Sequence, residues 1–201
     1  MTKNSKSIDW KRCIYMECAE MVDSFAWKHW KSIDAEPNWD NHKIEVVDVW
    51  HFVMSLALQE YKMNNIGTMQ EVQKLIENSE NFKLINTTDE ANADIVSVIA
   101  QVEELMLDSL IREGFKIEHL IENFLKLSSM SSLNLDSLYK LYVGKNILNQ
   151  FRQDHGYKDG SYIKEWNGVE DNVVMKKFWD ENNSLAPEEL YSKLEEVYST
   201  L

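Results

Sequence analysis

Two prolines and six glycines are all that interrupt 201 residues. Breakers this sparse suit long helices and do not suit a β-sandwich with its many turns. Residues 8–34 contain neither, and Ile14, Met21, Val22 and Phe25 recur at helical spacing, which predicts one helix over 8–34 that is broken at Pro37. Asn38 or Asp40 caps a second helix through Glu45, Asp48 and Phe52 to about Asn64, where Asn64-Asn65-Ile66-Gly67 reads as a stop. A short helix is expected over 68–77, followed by a polar connection over 78–88. Apolar residues from Ile95 to Leu110 keep helical period up to Gly114, and Ile117 to Leu125 forms another short helix. Serines at 128, 129, 131 and 132 mark a loop, after which Asn134 caps a helix carrying Leu138, Leu141, Tyr142, Leu148 and Phe151. The glycine-punctuated stretch 156–168 reads as an ordered loop. A helix around 173–180 and another after Pro187 close the chain. No strand and no internal repeat is predicted. The length is that of one domain with a proper core, so the expected fold is all-α, a helical bundle.

Acidic residues number 34 against 21 basic ones, a formal charge of −13. That balance excludes non-specific nucleic-acid binding and a polybasic membrane surface, both of which need positive charge. The N-terminal MTKNSKSIDW has no apolar core of a signal segment, and no run of 18 apolar residues occurs, so neither secretion nor membrane spanning is expected. Cys13 and Cys18 lie five apart in one predicted helix and cannot bridge there. A reducing, cytoplasmic setting is the expectation.

Four acids stand out against this background. Glu17 and Glu20 are three apart on the first helix, and Glu45 and Asp48 are three apart on the second. Residues at this spacing share a helix face, with Cβ atoms roughly 5–6 Å apart. Met16, Met21 and Val22 surround the first pair, and Ile44, Val46, Val47, Val49 and Trp50 the second. Carboxylates in such apolar helices lose hydration unless a cation joins them. Two adjacent helices that bring the pairs face to face make an oxygen-rich cage for hard divalent cations. Mg²⁺ is the expected occupant, because it binds through a few carboxylates and keeps waters and phosphates as its other ligands. Asp23 continues the first row and reads equally as a further ligand, an outer-shell acceptor or a solvated acid. The competing reading of all these acids is a surface set balanced by Lys28, Lys31 and Lys43.

A second cluster is basic. Between 140 and 164 five basic residues (Lys140, Lys145, Arg152, Lys158, Lys164) face two acids, against the sign of the whole chain. Lys145, Asn149 and Arg152 fall on one helix stripe, and cations with an amide between them suit phosphate oxygens. Gly156 and Gly160 let the following backbone approach a ligand, with Tyr157, Lys158, Tyr162 and Lys164 able to close over it. The competing reading is a solvated basic face docked on the acidic remainder. In the composite reading, acids hold Mg²⁺, the metal bridges a polyphosphate, and the cations take its other edge.

The pattern E-x-x-E, 24 residues, E-x-x-D resembles the signature of the all-α NTP pyrophosphatases (the MazG-like superfamily). The strings CIYMECAEMVDSFAWKHWK, IEVVDVWHF and YVGKNILNQFRQDHGYKDGSYIKEWNG resemble the dimeric dUTPases more specifically. The resemblance covers about residues 9–60 and 134–168. It implies one all-α pyrophosphatase domain over 1–201, with metal-binding helices at about 8–64, middle helices at 68–130, a phosphate-binding helix and closing loop at 134–168, and C-terminal helices at 170–201 in a mobile C-terminal part. It implies that Glu17, Glu20, Glu45 and Asp48 hold Mg²⁺. Lys145, Asn149, Arg152, Tyr157, Lys158 and Lys164 match phosphate-side and closing-loop positions, His51 and Phe52 lie near deoxyribose and base, and Trp30 with Lys31 matches an aromatic-basic stretch near the nucleotide. The implied activity is hydrolysis of dUTP, with dUDP as a further substrate, to dUMP by a homodimer. Family members usually carry a base-reading helical segment ahead of the first acidic motif, whereas here the motif is reached at Glu17. The same chemistry on dCTP or another deoxynucleoside triphosphate is therefore carried beside dUTP, as is a non-catalytic nucleotide-binding regulator.

Overall fold

A computed structural model describes residues 2–3, 6–31, 34–63, 66–87, 93–182 and 185–201. Among them are nine α-helices, one 3₁₀ turn and two hairpins of two-residue strands, so the fold is all-α as expected. The chain divides into two compact units, Met1–Leu135 and Asp136–Leu201.

The first unit opens with β1 (Thr2–Lys3) paired antiparallel to β2 (Lys6–Ser7), which the helical periodicity did not predict. Its helices are α1 (Trp10–Asp23), α2 (Trp39–Met63), α3 (Met69–Asn78), α4 (Glu80–Thr87), α5 (Ile95–Leu110) and α6 (Ile117–Met130). Helix α1 packs on α2 and α5, and α6 packs on α5, α4 and α2. Ile14, Cys18 and Met21 of α1, Ile44, Val46, Val47 and Val49 of α2, Val98, Val102 and Leu105 of α5, and Leu120, Ile121, Phe124 and Leu125 of α6 are the buried apolar faces. Trp50 lies flat on Phe124, with ring centroids 4.6 Å apart.

The helix expected over 8–34 stops at Asp23. The Asp23 carboxylate accepts from Trp27 Nε1 at 2.9 Å and Lys28 Nζ at 2.6 Å, bending the chain back on itself. Side-chain bonds of this kind compete with the helical ladder. The described residues from 24 to 38 are non-helical. Asn38 donates its backbone N–H to Ser24 O, and its side chain accepts from Asn41 N at 3.0 Å, so Asn38 caps α2 as expected. Asn64 and Asn65 of the predicted stop, and Thr88 at the end of the polar connection with residues 89–92 after it, lie outside the described residues. Within 78–87 the predicted connection is instead α4. Ser79 caps it by accepting from Phe82 N at 3.2 Å, and Ile85 is fully buried. The serines read as a loop lie partly inside α6, where Ser128 donates back to Phe124 O.

The second unit contains α7 (Leu135–Asp154), a 3₁₀ turn at Tyr157–Asp159, the hairpin β3 (Glu165–Trp166) with β4 (Val169–Glu170), α8 (Asp171–Glu181) and α9 (Pro187–Tyr198). Its core joins Leu148 and Phe151 of α7, Trp166, Met175 and Trp179 of α8, and Leu190 and Leu194 of α9. Helix α8 comes so close to α7 that a Cβ on Gly144 would lie 2.6 Å from both Met175 Sδ and Trp179 Nε1. Gly144→Ala is expected to cost about 1–3 kcal/mol in overpacking. That exceeds the helix propensity it gains, at most about 1 kcal/mol. Urea unfolding should show a lower midpoint with an unchanged slope.

Candidate active site

In the first unit, Glu17 on α1 and Glu45 and Asp48 on α2 each offer a carboxylate oxygen within 4.8 Å of the others. Helix α1 turns Ile14, Cys18 and Met21 into the core, which sets Glu17 at its margin, half-buried. Glu45 is 8% exposed and Asp48 half-buried, because Ile44, Val46, Val47 and Val49 sink that part of α2 on both flanks. Three carboxylates this close repel one another, and a cation shared among them would offset that repulsion. The donor set is all hard oxygen, which fits Mg²⁺ or another hard divalent ion and leaves coordination positions for water and phosphate. Glu20 is exposed and stands outside the convergent three. Asp23 is bound to Trp27 and Lys28.

The other predicted residues of this unit are placed as follows. Trp30 is 61% exposed, edge-on to Trp27 at 5.6 Å and to His29 at 4.9 Å, so it is a surface aromatic and not a core one. Lys31 is exposed beside it. Phe52 is half-buried and stacks on Trp10 at 6.0 Å, and His51 is half-buried on the same helix. Burial raises the pKa of both cysteine thiols, Cys18 the more, leaving them protonated and poor nucleophiles.

In the second unit, the stripe expected to meet phosphate, with a solvated face as the competing reading, is buried at Lys145 and Arg152 and half-buried at Asn149. Arg152 is 8% exposed and pairs side-on with Asp171, Nε donating to Oδ2 at 2.8 Å and Nη2 to Oδ1 at 2.7 Å. Its Nη2 also donates to Asn172 Oδ1, and its Nη1 to Asn149 Oδ1, both at 3.3 Å. Lys145, 3% exposed, donates to the same Asn172 Oδ1 at 3.0 Å. Burial works against the Arg152 charge, but the hydrogen bonds and charge of Asp171 outweigh it and raise the pKa. The Tyr162 hydroxyl donates to Asp171 Oδ2 at 2.8 Å, and burial with that contact pushes its pKa up. Tyr157 is half-exposed, its ring 5.8 Å from Arg152 Cζ. Lys158 and Lys164 are exposed, the first donating to Gln153 and the second 3.7 Å from Glu170.

Asp171 and Asn172 escaped the sequence reading. The signal was there in one form only: two buried cations on one helix stripe require a buried acceptor, and Asp171 opens the next apolar helix.

The first unit thus gathers three carboxylates from α1 and α2, and the second buries Lys145 and Arg152 against Asp171 and Asn172. A family model described as dUTPase matches residues 1–157, and the chain belongs to this all-α dUTPase family. The match takes in Glu17, Glu45 and Asp48 as well as Lys145, Asn149 and Arg152, and ends before Tyr162 and Asp171. A comparison with curated proteins finds no matching relative. No helix among the described residues is long and apolar enough to cross a membrane.

Proposed function

We propose that the protein hydrolyses dUTP, and dUDP with it, to dUMP in a Mg²⁺-dependent reaction, as a cytoplasmic homodimer. The convergence of Glu17, Glu45 and Asp48 in a chain of the dUTPase family carries this reading. Glu17, Glu45 and Asp48 hold the metal, and Glu20, one turn along α1 from Glu17, supplies a fourth carboxylate from the rim. Mg²⁺ bound there would supply charge neutralisation at the phosphoryl oxygens and a water of lowered pKa. Glu17 or Glu20 accepts the proton of the attacking water. Lys145, Asn149 and Arg152 favour the charge that gathers on the departing pyrophosphate, with Tyr157, Lys158 and Lys164 closing on the phosphates. Trp30, Lys31, His51 and Phe52 take the sugar and base.

A panel of dUTP, dCTP, dTTP and dATP tests this with the full chain and Mg²⁺. Monophosphate and pyrophosphate should form one to one, fastest from dUTP. Preference for dCTP would move the chain to the neighbouring substrate. Nucleotide-dependent thermal stabilisation without any product would replace the enzyme by a nucleotide-binding regulator.

A further inference from the structure

Asp171 is fully buried, and its two oxygens take four hydrogen bonds: from Arg152 twice, from the Tyr162 hydroxyl, and from Asn172 N at 2.8 Å. A carboxylate so placed has no capacity left for a ligand. Its partners do have such capacity. Arg152 spends four of its five N–H groups on Asp171, Asn172 and Asn149, which leaves one on Nη1. Because Arg152 donates to Asn149 Oδ1, the Asn149 amide is oriented with its NH₂ left as a donor.

Breaking a buried ion pair by withdrawing one partner strands a charge in a poor solvent. Arg152 therefore works in place, as a fixed fork, and does not swing out to meet a phosphate. The same acid governs the glycine-spaced loop. Its backbone N–H donates to Lys164 O at 3.0 Å and its side chain holds Tyr162, while Gly156 and Gly160 turn the chain with φ of 85° and 76°. Tyr157 and Lys158 lie between those two glycines.

We propose that Asp171 is a positioning residue for the phosphate-binding side chains of the second unit. It fixes the Arg152 guanidinium, through it the Asn149 amide, and by a separate bond the loop that carries Tyr157 and Lys158. This inference rests on the proposed function only in assigning phosphate to these side chains. The residues it adds lie beyond the span that the family model matches.

The test uses the full chain and inorganic pyrophosphate as probe, with binding measured by calorimetry in Mg²⁺. Asp171→Asn keeps the shape but neither neutralises Arg152 nor accepts at both atoms. Its pyrophosphate Kd should rise tenfold or more, about 1.4 kcal/mol. In turnover the loss should appear chiefly in KM. Nucleotide-free Mg²⁺ affinity should stay within twofold, which a general loss of fold would not allow. Tyr162→Phe, which removes one bond to Asp171 and leaves the ion pair, should raise the same Kd a few-fold and serves if Asp171→Asn does not fold. In the double variant Asp171→Asn with Asn149→Ala, the second change should add less than it costs alone. An unchanged Kd in folded Asp171→Asn overturns the proposal, as does an unchanged Kd in Tyr162→Phe if the first variant is unfolded. A wild-type protein that binds no pyrophosphate overturns it as well. Absence of turnover in a wild type that binds pyrophosphate through Asp171 would instead remove the proposed function and leave this inference standing.

Discussion

Replacing Asp48 with Asn, or Glu45 with Gln, is expected to lower kcat/KM for the nucleotide about a hundredfold or more, ~2.7 kcal/mol of transition-state stabilisation. Each change removes one of three oxygens that lie within 4.8 Å of one another, and with it a negative charge that a divalent ion needs. The same changes carry an opposite stability signature. Without metal the three carboxylates repel, so Asp48→Asn should raise the thermal midpoint of the metal-free protein while abolishing the further rise that Mg²⁺ gives the wild type. Loss of activity through unfolding would lower that midpoint. The structure also ranks the acids. Glu20 is exposed and outside the convergent three, so Glu20→Gln should cost less than Glu45→Gln. Kinetics on the three single variants, with differential scanning in Mg²⁺ and in EDTA, checks both statements.

The second large effect is loss of stability in acid, centred on His42. His42 is fully buried between Phe25 and Trp39, with its Nε2 2.8 Å from Ser131 Oγ. The Ser131 hydroxyl also lies 2.8 Å from Leu127 O, and donating there lets it accept from His42 Nε2–H. In that neutral tautomer Nδ1 is buried without a well-formed hydrogen bond, the Met21 backbone being the one neighbour that favours a proton on the ring. A second proton would place a charge there. Burial, with Lys43 adding to it, holds the His42 pKa down at about 4 from an ordinary 6.5. The unfolded chain therefore binds more protons than the folded one between these values. Stability from this site is complete above about pH 6.5, falls as pH drops towards 4, and is level below that. The displacement corresponds to about 3 kcal/mol at 1.36 kcal/mol per pKa unit. The difference between wild type and His42→Leu in urea-unfolding free energy, followed from pH 7.5 to 4, isolates it from the carboxylates that titrate nearby. A difference that does not change with pH would show His42 already protonated or solvated in the fold.

What could be read from the chain, and what could not, follows from how local each cause is. Glu45 and Asp48 share a face of α2 by spacing alone, and spacing survives any packing; Glu17 joins them because α1 packs on α2. Glu20 has the same spacing, but which flank of α1 goes under is decided by α2 and α5. The false extension of α1 arose because Phe25, Trp27 and Trp30 keep an apolar rhythm after Asp23 has already turned the chain through its own hydrogen bonds. Helix α4 was hidden for the converse reason: a cap at Ser79 and buried Ile85 make it real, in a stretch too polar to show a period. The partner of Arg152 lies 19 residues away across a turn and a hairpin, and no local pattern ties the two together. The cations on α7 were visible as a stripe. That the stripe faces inward was not.

Manganese offers the most direct measurement of the central claim, that three carboxylates from α1 and α2 form a divalent-cation site. Electron paramagnetic resonance of Mn²⁺ titrated into the full chain should show bound ion that Mg²⁺ displaces, and Glu45→Gln should lose that binding while remaining folded. Equal Mn²⁺ binding by the wild type and by Glu45→Gln, or no binding by either, would contradict it.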